Sequence, residues 1–62
     1  MSIVIPDEIL HTIHMTVDEL LQEIAILLFQ KGKLTLGQAS RLARVSQLQF
    51  QFLLASRQIP LH

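Results

Sequence analysis

The sequence contains no cysteine, and only 16% of its 62 residues are charged. The absence of cysteine excludes a disulfide and a thiolate metal site. The formal net charge is zero, whereas a dedicated nucleic-acid-binding protein is usually basic, because phosphate contacts supply most of its non-specific affinity. The composition as a whole therefore lacks the charge bias of a nucleic-acid-binding protein.

Long apolar runs and catalytic motifs are also missing. The longest apolar run, Ile24 to Phe29, is far too short to span a bilayer, and no signal peptide is visible. There is no Gly-rich phosphate loop, and no serine has a histidine and an acid nearby in the pattern of a catalytic triad. His11 and His14 are expected to be solvated rather than metal ligands. We therefore expect a cytoplasmic protein that is not an enzyme and needs no cofactor or metal.

Apolar residues are abundant, since they make up 50% of the chain. A domain of this size buries only about 60% of the surface that its unfolded chain exposes. Some apolar surface is therefore expected to be covered by a second subunit or another partner, and a homodimer is the simplest case. The charges are divided along the chain: all five acids lie at or before Glu23, and all five Lys and Arg residues lie at or after Lys31.

Apolar periodicity and capping patterns divide a single domain, residues 1–62, into a short strand, a short helical turn, a long helix and a final pair of helices. Residues 2–6 are typical of a short strand, because β-branched residues precede a proline; such a strand needs a second strand to pair with. Residues 7–11 suit a short helical turn with acids near its N-terminus. Capping boxes at Thr16, Thr35 and Ser46 predict three further helix starts. The predicted fold class is mainly α, with a short N-terminal β-strand followed by a small helical bundle.

The long helix, residues 17–31, is predicted to end at Gly32. Ile26 and Phe29 fall on the flank opposite its main apolar stripe at 100° per residue. Because a helix that is apolar on two sides is buried on two sides, we predict a homodimer contact through Ile26 and Phe29. The alternative is enclosure within the domain itself. The N-terminal strand is a second candidate interface. The main stripe consists of Val17, Leu20, Leu21, Ile24, Leu27 and Leu28, and the strand residues at the candidate interface are Ile3, Val4 and Ile5.

Residues 36–57 match a helix-turn-helix: a short helix, a turn at Arg44-Val45 and a capped second helix. A plain helical hairpin is the alternative. The turn usually contains a glycine with positive φ, and Arg44 stands at that position, which costs about 1 kcal/mol or requires a different turn. The second helix is expected to place Phe50, Leu53 and Leu54 in the core.

The outer face of that second helix has two interpretations. If it enters the major groove, Gln47 and Gln51 bond adenine edges, and Leu48 and Phe52 contact thymine methyls. Phosphate contacts then fall to Arg41, Arg44 and Arg57. If the face binds a protein, Leu48 and Phe52 enter an apolar groove of the partner. The lack of charge on this face favours protein contact slightly, and the two interpretations are not exclusive.

Four segments across nearly the whole chain carry a family resemblance: Ile3 to Leu10, Lys33 to Ala43, Val45-Ser46 with Phe50, and Gln58 to Pro60. With them the chain resembles a small prokaryotic uncharacterised (UPF-class) family of candidate antitoxins associated with PIN-domain toxins. The resemblance implies an N-terminal strand, a helical body and a helix-turn-helix. It also implies neutralisation of a toxin nuclease and repression of the shared operon.

The chain departs from the resembled family in two places. Arg44 replaces the glycine of the turn, and relatives continue beyond the position of His62 into an acidic tail that is one candidate for toxin contact. The expected function is a dimeric antitoxin or small DNA-binding regulator, with a PIN-domain toxin and operator double-stranded DNA as candidate partners. The alternative is a protein–protein interaction module with a helix-turn-helix shape and no DNA role.

Overall fold

The computed structural model describes residues 4–60, and these residues fold into four helices. They are α1 (Asp7–Ile13), α2 (Val17–Gln30), α3 (Leu36–Leu42) and α4 (Gln47–Ser56). α2 packs against α3, and α3 packs against α4. The predicted helical bundle is confirmed.

The predicted N-terminal β-strand is wrong. No strand occurs between residues 4 and 60; Val4 is 85% exposed, and Pro6 is extended at φ −60°, ψ 139° as it leads into α1. A strand is stable only when another strand pairs with it, and every other described segment is helix, turn or short connection. Ile3, the first residue of the predicted strand interface, lies outside the described residues.

The three helix starts predicted from capping patterns are confirmed, and each has a complete capping box. The hydroxyls of Thr16, Thr35 and Ser46 accept from the backbone N–H three residues later, at 3.1 to 3.2 Å. The side chains of the residues three positions on, which are Glu19, Gln38 and Gln49, accept from the backbone N–H of the cap itself. Each box satisfies backbone donors that the helix cannot satisfy internally, so these starts are determined by residues within four positions of one another.

A residue with positive φ follows the end of each of the four helices within two positions: His14, Gly32, Arg44 and Gln58. The next N–H bonds back to a carbonyl five residues earlier, as when Val45 donates to Ser40 at 3.1 Å and Ile59 donates to Leu54 at 2.9 Å. This is the Schellman arrangement, which favours glycine at the left-handed position. Arg44 adopts φ 60°, so the turn keeps its ordinary geometry and tolerates the strain.

Substitutions at Gly32 and at Arg44 are expected to change the free energy of unfolding in opposite directions. Gly32→Ala should lower the free energy of unfolding by about 1 kcal/mol, because φ 73° strains alanine while its Cβ meets no atom within 4 Å. Arg44→Gly should raise the free energy of unfolding by up to about 1 kcal/mol by removing the same strain. Urea denaturation of both variants measures the changes, and a shift of the same sign in both would contradict this explanation.

The core lies where α2, α3 and α4 meet. Its buried apolar residues are Ala25, Ile26, Ala39, Ala43, Phe50 and Leu54. Alanines on α2 and α3 let the helix backbones approach closely around the large Phe50 ring. The Phe29 ring meets Phe50 edge to face, with centroids 6.0 Å apart and an interplanar angle of 88°, a geometry that aromatic quadrupoles favour. Ser40 is also buried, and its Oγ donates to the Gly37 carbonyl at 2.9 Å.

The side of α2 that is buried in the core is the opposite of the one expected. Ile26, predicted to contact a second subunit, is only 3% exposed and lies in the core of the chain itself. Phe29 is partly buried against Phe50. The main apolar stripe is the more open side, because α3 and α4 pack on the flank that carries Ala25 and Ile26. Val17, on that stripe, is 43% exposed.

None of the helices within residues 4–60 combines the length and the apolar character needed to cross a membrane.

Candidate interaction surface on the fourth helix

The α3–α4 pair has the order and connection of a helix-turn-helix. α3 ends at Leu42, four residues follow, and α4 begins at Gln47. Phe50 and Leu54 are 0% exposed, so they fix the rotation of α4 about its axis. The residues on the opposite side of α4 must therefore face outward, as the sequence predicted.

The outward side of α4 carries large apolar groups. Leu48 is 62% exposed and Phe52 is 65% exposed. Together with Gln51, Ala55 and Ile59 they line a cavity of about 230 Å³. We call these five residues the α4 face. None of them is charged, so the α4 face is an apolar surface with one amide group.

Ile59 is a member of the α4 face that the sequence analysis missed. Gln58 takes φ 58°, and the Ile59 N–H returns to the Leu54 carbonyl, which folds the chain back beside α4. The only local signal is Pro60, which stops a helix. Pro60 does not predict a left-handed backbone conformation at Gln58.

Gln47 does not line the cavity of the α4 face. A methyl group added at Gly37 would lie 3.2 Å from Gln47 Nε2, so the amide of Gln47 rests close to the start of α3. Gln51 is only partly exposed. The two glutamines predicted to read adenine edges are therefore placed differently: Gln51 lines the cavity, and Gln47 lies beside α3.

Arg57 binds α2 rather than facing outward from α4. Its Nη1 donates to Glu23 Oε2 at 2.7 Å, and its Nη2 donates to Glu23 Oε1. This paired hydrogen bond from the Arg57 guanidinium lowers the pKa of Glu23 below its ordinary value. In return, the bond to the Glu23 carboxylate raises the pKa of Arg57. The contact fastens the end of α4 to the middle of α2.

Arg44 and Arg41 also lie toward α2. Arg44 Nη1 is 3.6 Å from Asp18 Oδ1, with both side chains about two-thirds exposed; such an exposed pair contributes little to stability. Arg41 and Arg44 line a second cavity beside α2. The three arginines predicted to contact phosphate are therefore absent from the lining of the α4 face, and within residues 4–60 only Arg41 among them takes part in no ion pair.

Loss of the Arg57–Glu23 pair is expected to change the pH dependence of stability. Because the folded-state pKa of Glu23 is lowered, the pair stabilises the fold above the ordinary pKa of glutamate and stops doing so as the pH falls through the lowered value. Arg57→Gln should lower the free energy of unfolding at neutral pH by at most about 1 kcal/mol, since both side chains are partly exposed and screened. Denaturation as a function of pH measures the loss. Arg41→Gln is the matched control, and an identical pH profile for both variants would contradict the assignment.

His11 and His14 line another surface cavity with Asp7 and Glu19. In the part of the chain that the structure describes, no three His, Cys, Asp or Glu residues are grouped so that they could hold a metal ion.

The family model described as "Uncharacterised protein family (UPF0175)" matches residues 1–62. No curated protein matches the chain at the significance threshold, and no solved structure matches it either.

Proposed function

The chain belongs to the uncharacterised protein family UPF0175, and we propose that it is a small regulator of the antitoxin class that acts by binding a protein partner through the α4 face. The observation that supports the proposal is that the α4 face is both strongly exposed and uncharged. Leu48 and Phe52 are each more than 60% exposed, and no charged side chain lines the cavity between them.

An exposed Leu and Phe four residues apart on one helix form the kind of surface that enters an apolar groove of another protein. Aromatic residues are frequent among the few interface positions that dominate binding energy. Left uncovered, the same pair would favour aggregation. These arguments favour a protein partner over solvent as the usual environment of Phe52.

The proposed class of partner rests on the family resemblance, which is carried by segments across nearly the whole chain, from residues 3–10 through residues 33–43 to residues 58–60. The resemblance implies an association with PIN-domain toxins, so a PIN-domain nuclease is the partner we propose. Neutralisation would then require that the α4 face cover or distort the nuclease. The alternative is an interaction module that uses the same α4 face to bind a partner other than a toxin.

The test is co-expression of the full chain with the protein encoded by the adjacent gene, followed by size-exclusion chromatography and a nuclease assay. We expect the two proteins to elute together and the nuclease activity to fall. Co-elution without inhibition would support an interaction module instead. Separate elution at concentrations well above those in the cell would overturn the proposal for that partner.

DNA binding is the second candidate, and the α3–α4 arrangement is the observation that favours it. Phosphate contacts supply most of the affinity of such proteins, yet Arg44 and Arg57 lie beside Asp18 and Glu23. These acids would weaken the attraction to phosphate. A gel shift with the DNA upstream of the operon tests this role at several salt concentrations. Salt-dependent binding that falls in Arg41→Ala would support it, and the absence of a shift at every salt concentration would exclude it.

A further inference from the structure

We propose that a second copy of this chain covers the open side of α2, with α1 of each copy lying in the α2–α3 groove of the other. The α2–α3 groove is the cavity of about 500 Å³ beside Val17, Leu21, Ile24, Leu28 and Leu42. This inference concerns a different surface from the α4 face, so it goes beyond the proposed function and does not depend on it.

The floor of the α2–α3 groove is a regular helical surface. Its four α2 residues recur at i, i+4, i+7 and i+11, which places them on one side of the helix. Neither Leu21, Ile24 nor Leu28 is fully buried, because the core of the chain uses the flank with Ala25 and Ile26. The fold itself therefore leaves this apolar stripe of α2 incompletely covered.

α1 is the natural occupant because it has an apolar side and nothing buried. None of its seven residues is buried, and Ile9 and Ile13, one turn apart, are 47% and 40% exposed. An isolated helix of this length is unstable in water and gains its stability from packing. Ile5, just before α1, lines the groove of its own chain. α1 of each chain therefore begins close to the groove that α1 of the second copy would occupy.

Charge complementarity favours this pairing. α1 has Asp7 and Glu8 in its first turn, and the α2–α3 groove has Arg41 and Arg44 in its lining. The exposed Arg44–Asp18 pair at 3.6 Å is weak enough to give way to a new acidic neighbour. A single sequence thus supplies both halves of the contact, which is what a two-fold symmetric dimer requires.

The available surface is also sufficient. A stable interface covers about 800 Å² per partner, which is roughly a sixth of the 4852 Å² exposed by residues of this chain. Of the seven exposed large apolar residues between residues 4 and 60, three lie on or beside α1 (Val4, Ile9 and Ile13), and Val17 lines the α2–α3 groove. In a two-fold symmetric dimer the contact covers these residues in both copies.

The first experiment measures the mass of the full chain by light scattering over a range of concentrations. We expect a dimer, and we expect Ile9→Glu to raise its dissociation constant at least about tenfold, which corresponds to the loss of one well-buried apolar contact. Gln49→Glu is the matched control, since it adds the same charge on another helix and keeps its capping box. A monomeric wild-type chain, or a dimer unaffected by Ile9→Glu, would overturn the proposal.

The second experiment uses the absence of native cysteine. A tagged Ile9→Cys chain is mixed with an untagged Leu21→Cys chain under mild oxidation, and Phe52→Cys replaces Leu21→Cys in the control mixture. We expect the Ile9–Leu21 mixture to form a disulfide between different chains faster than the control mixture. Equal rates, or faster cross-linking through Phe52→Cys, would show that the copies do not meet at the α2–α3 groove.

Discussion

Replacing Phe50 with alanine is expected to lower the free energy of unfolding by about 3 to 5 kcal/mol. Phe50 is 0% exposed, and its ring is held against the edge of Phe29. Ala25 on α2 and Ala39 on α3 belong to the same core, and their side chains are too short to fill the space left behind. A chain of 62 residues has a total stability of only roughly 3 to 9 kcal/mol, so the substitution should remove about a third of that stability or more.

Phe52→Ala is the matched control for Phe50→Ala, because the same side chain is truncated two positions away on the same helix. Phe52 is 65% exposed, and a surface substitution of this kind changes stability by about 0.5 kcal/mol or less. Urea denaturation followed by circular dichroism measures both variants. Equal losses would mean that α4 is not rotated as the structure has it.

Phe52→Glu is expected to weaken binding of the protein partner at least about 30-fold, because the variant loses an aromatic contact at the centre of the interface. The substitution removes the largest apolar group of the α4 face and places a charge in a cavity that has none. Because Phe52 is exposed, the fold should survive. Isothermal titration calorimetry with the co-expressed partner measures the affinity.

Two comparisons make the Phe52→Glu result specific. Gln49→Glu adds the same charge to α4 outside the α4 face and should leave partner affinity within about threefold, as surface substitutions generally do. If Phe52→Glu instead retained full partner affinity but altered DNA affinity, the α4 face would be a DNA-reading surface. The second candidate function would then replace the first.

The features that could be predicted from the sequence are those determined over a few residues. Each capping box joins a hydroxyl to a residue three positions later, so Thr16, Thr35 and Ser46 located the helix starts without knowledge of the fold. The rotation of α4 was also predictable, because the spacing of Phe50 and Leu54 assigns one side to the core. The outward placement of Leu48 and Phe52 follows from the same spacing.

The remaining features depend on contacts between residues far apart in the chain. The expected strand failed because pairing needs a second strand, which the described chain does not contain. The core side of α2 depended on where α3 and α4 pack, and two apolar flanks of one helix cannot be ranked without that knowledge. Arg57 was assigned to phosphate, yet its partner Glu23 lies 34 positions away. Local hydrogen bonds and periodicity therefore determined where the helices begin and which way α4 faces, whereas the packing of α2 and the pairing of the arginines were decided only by the tertiary structure, because those free energies depend on which distant segments come into contact.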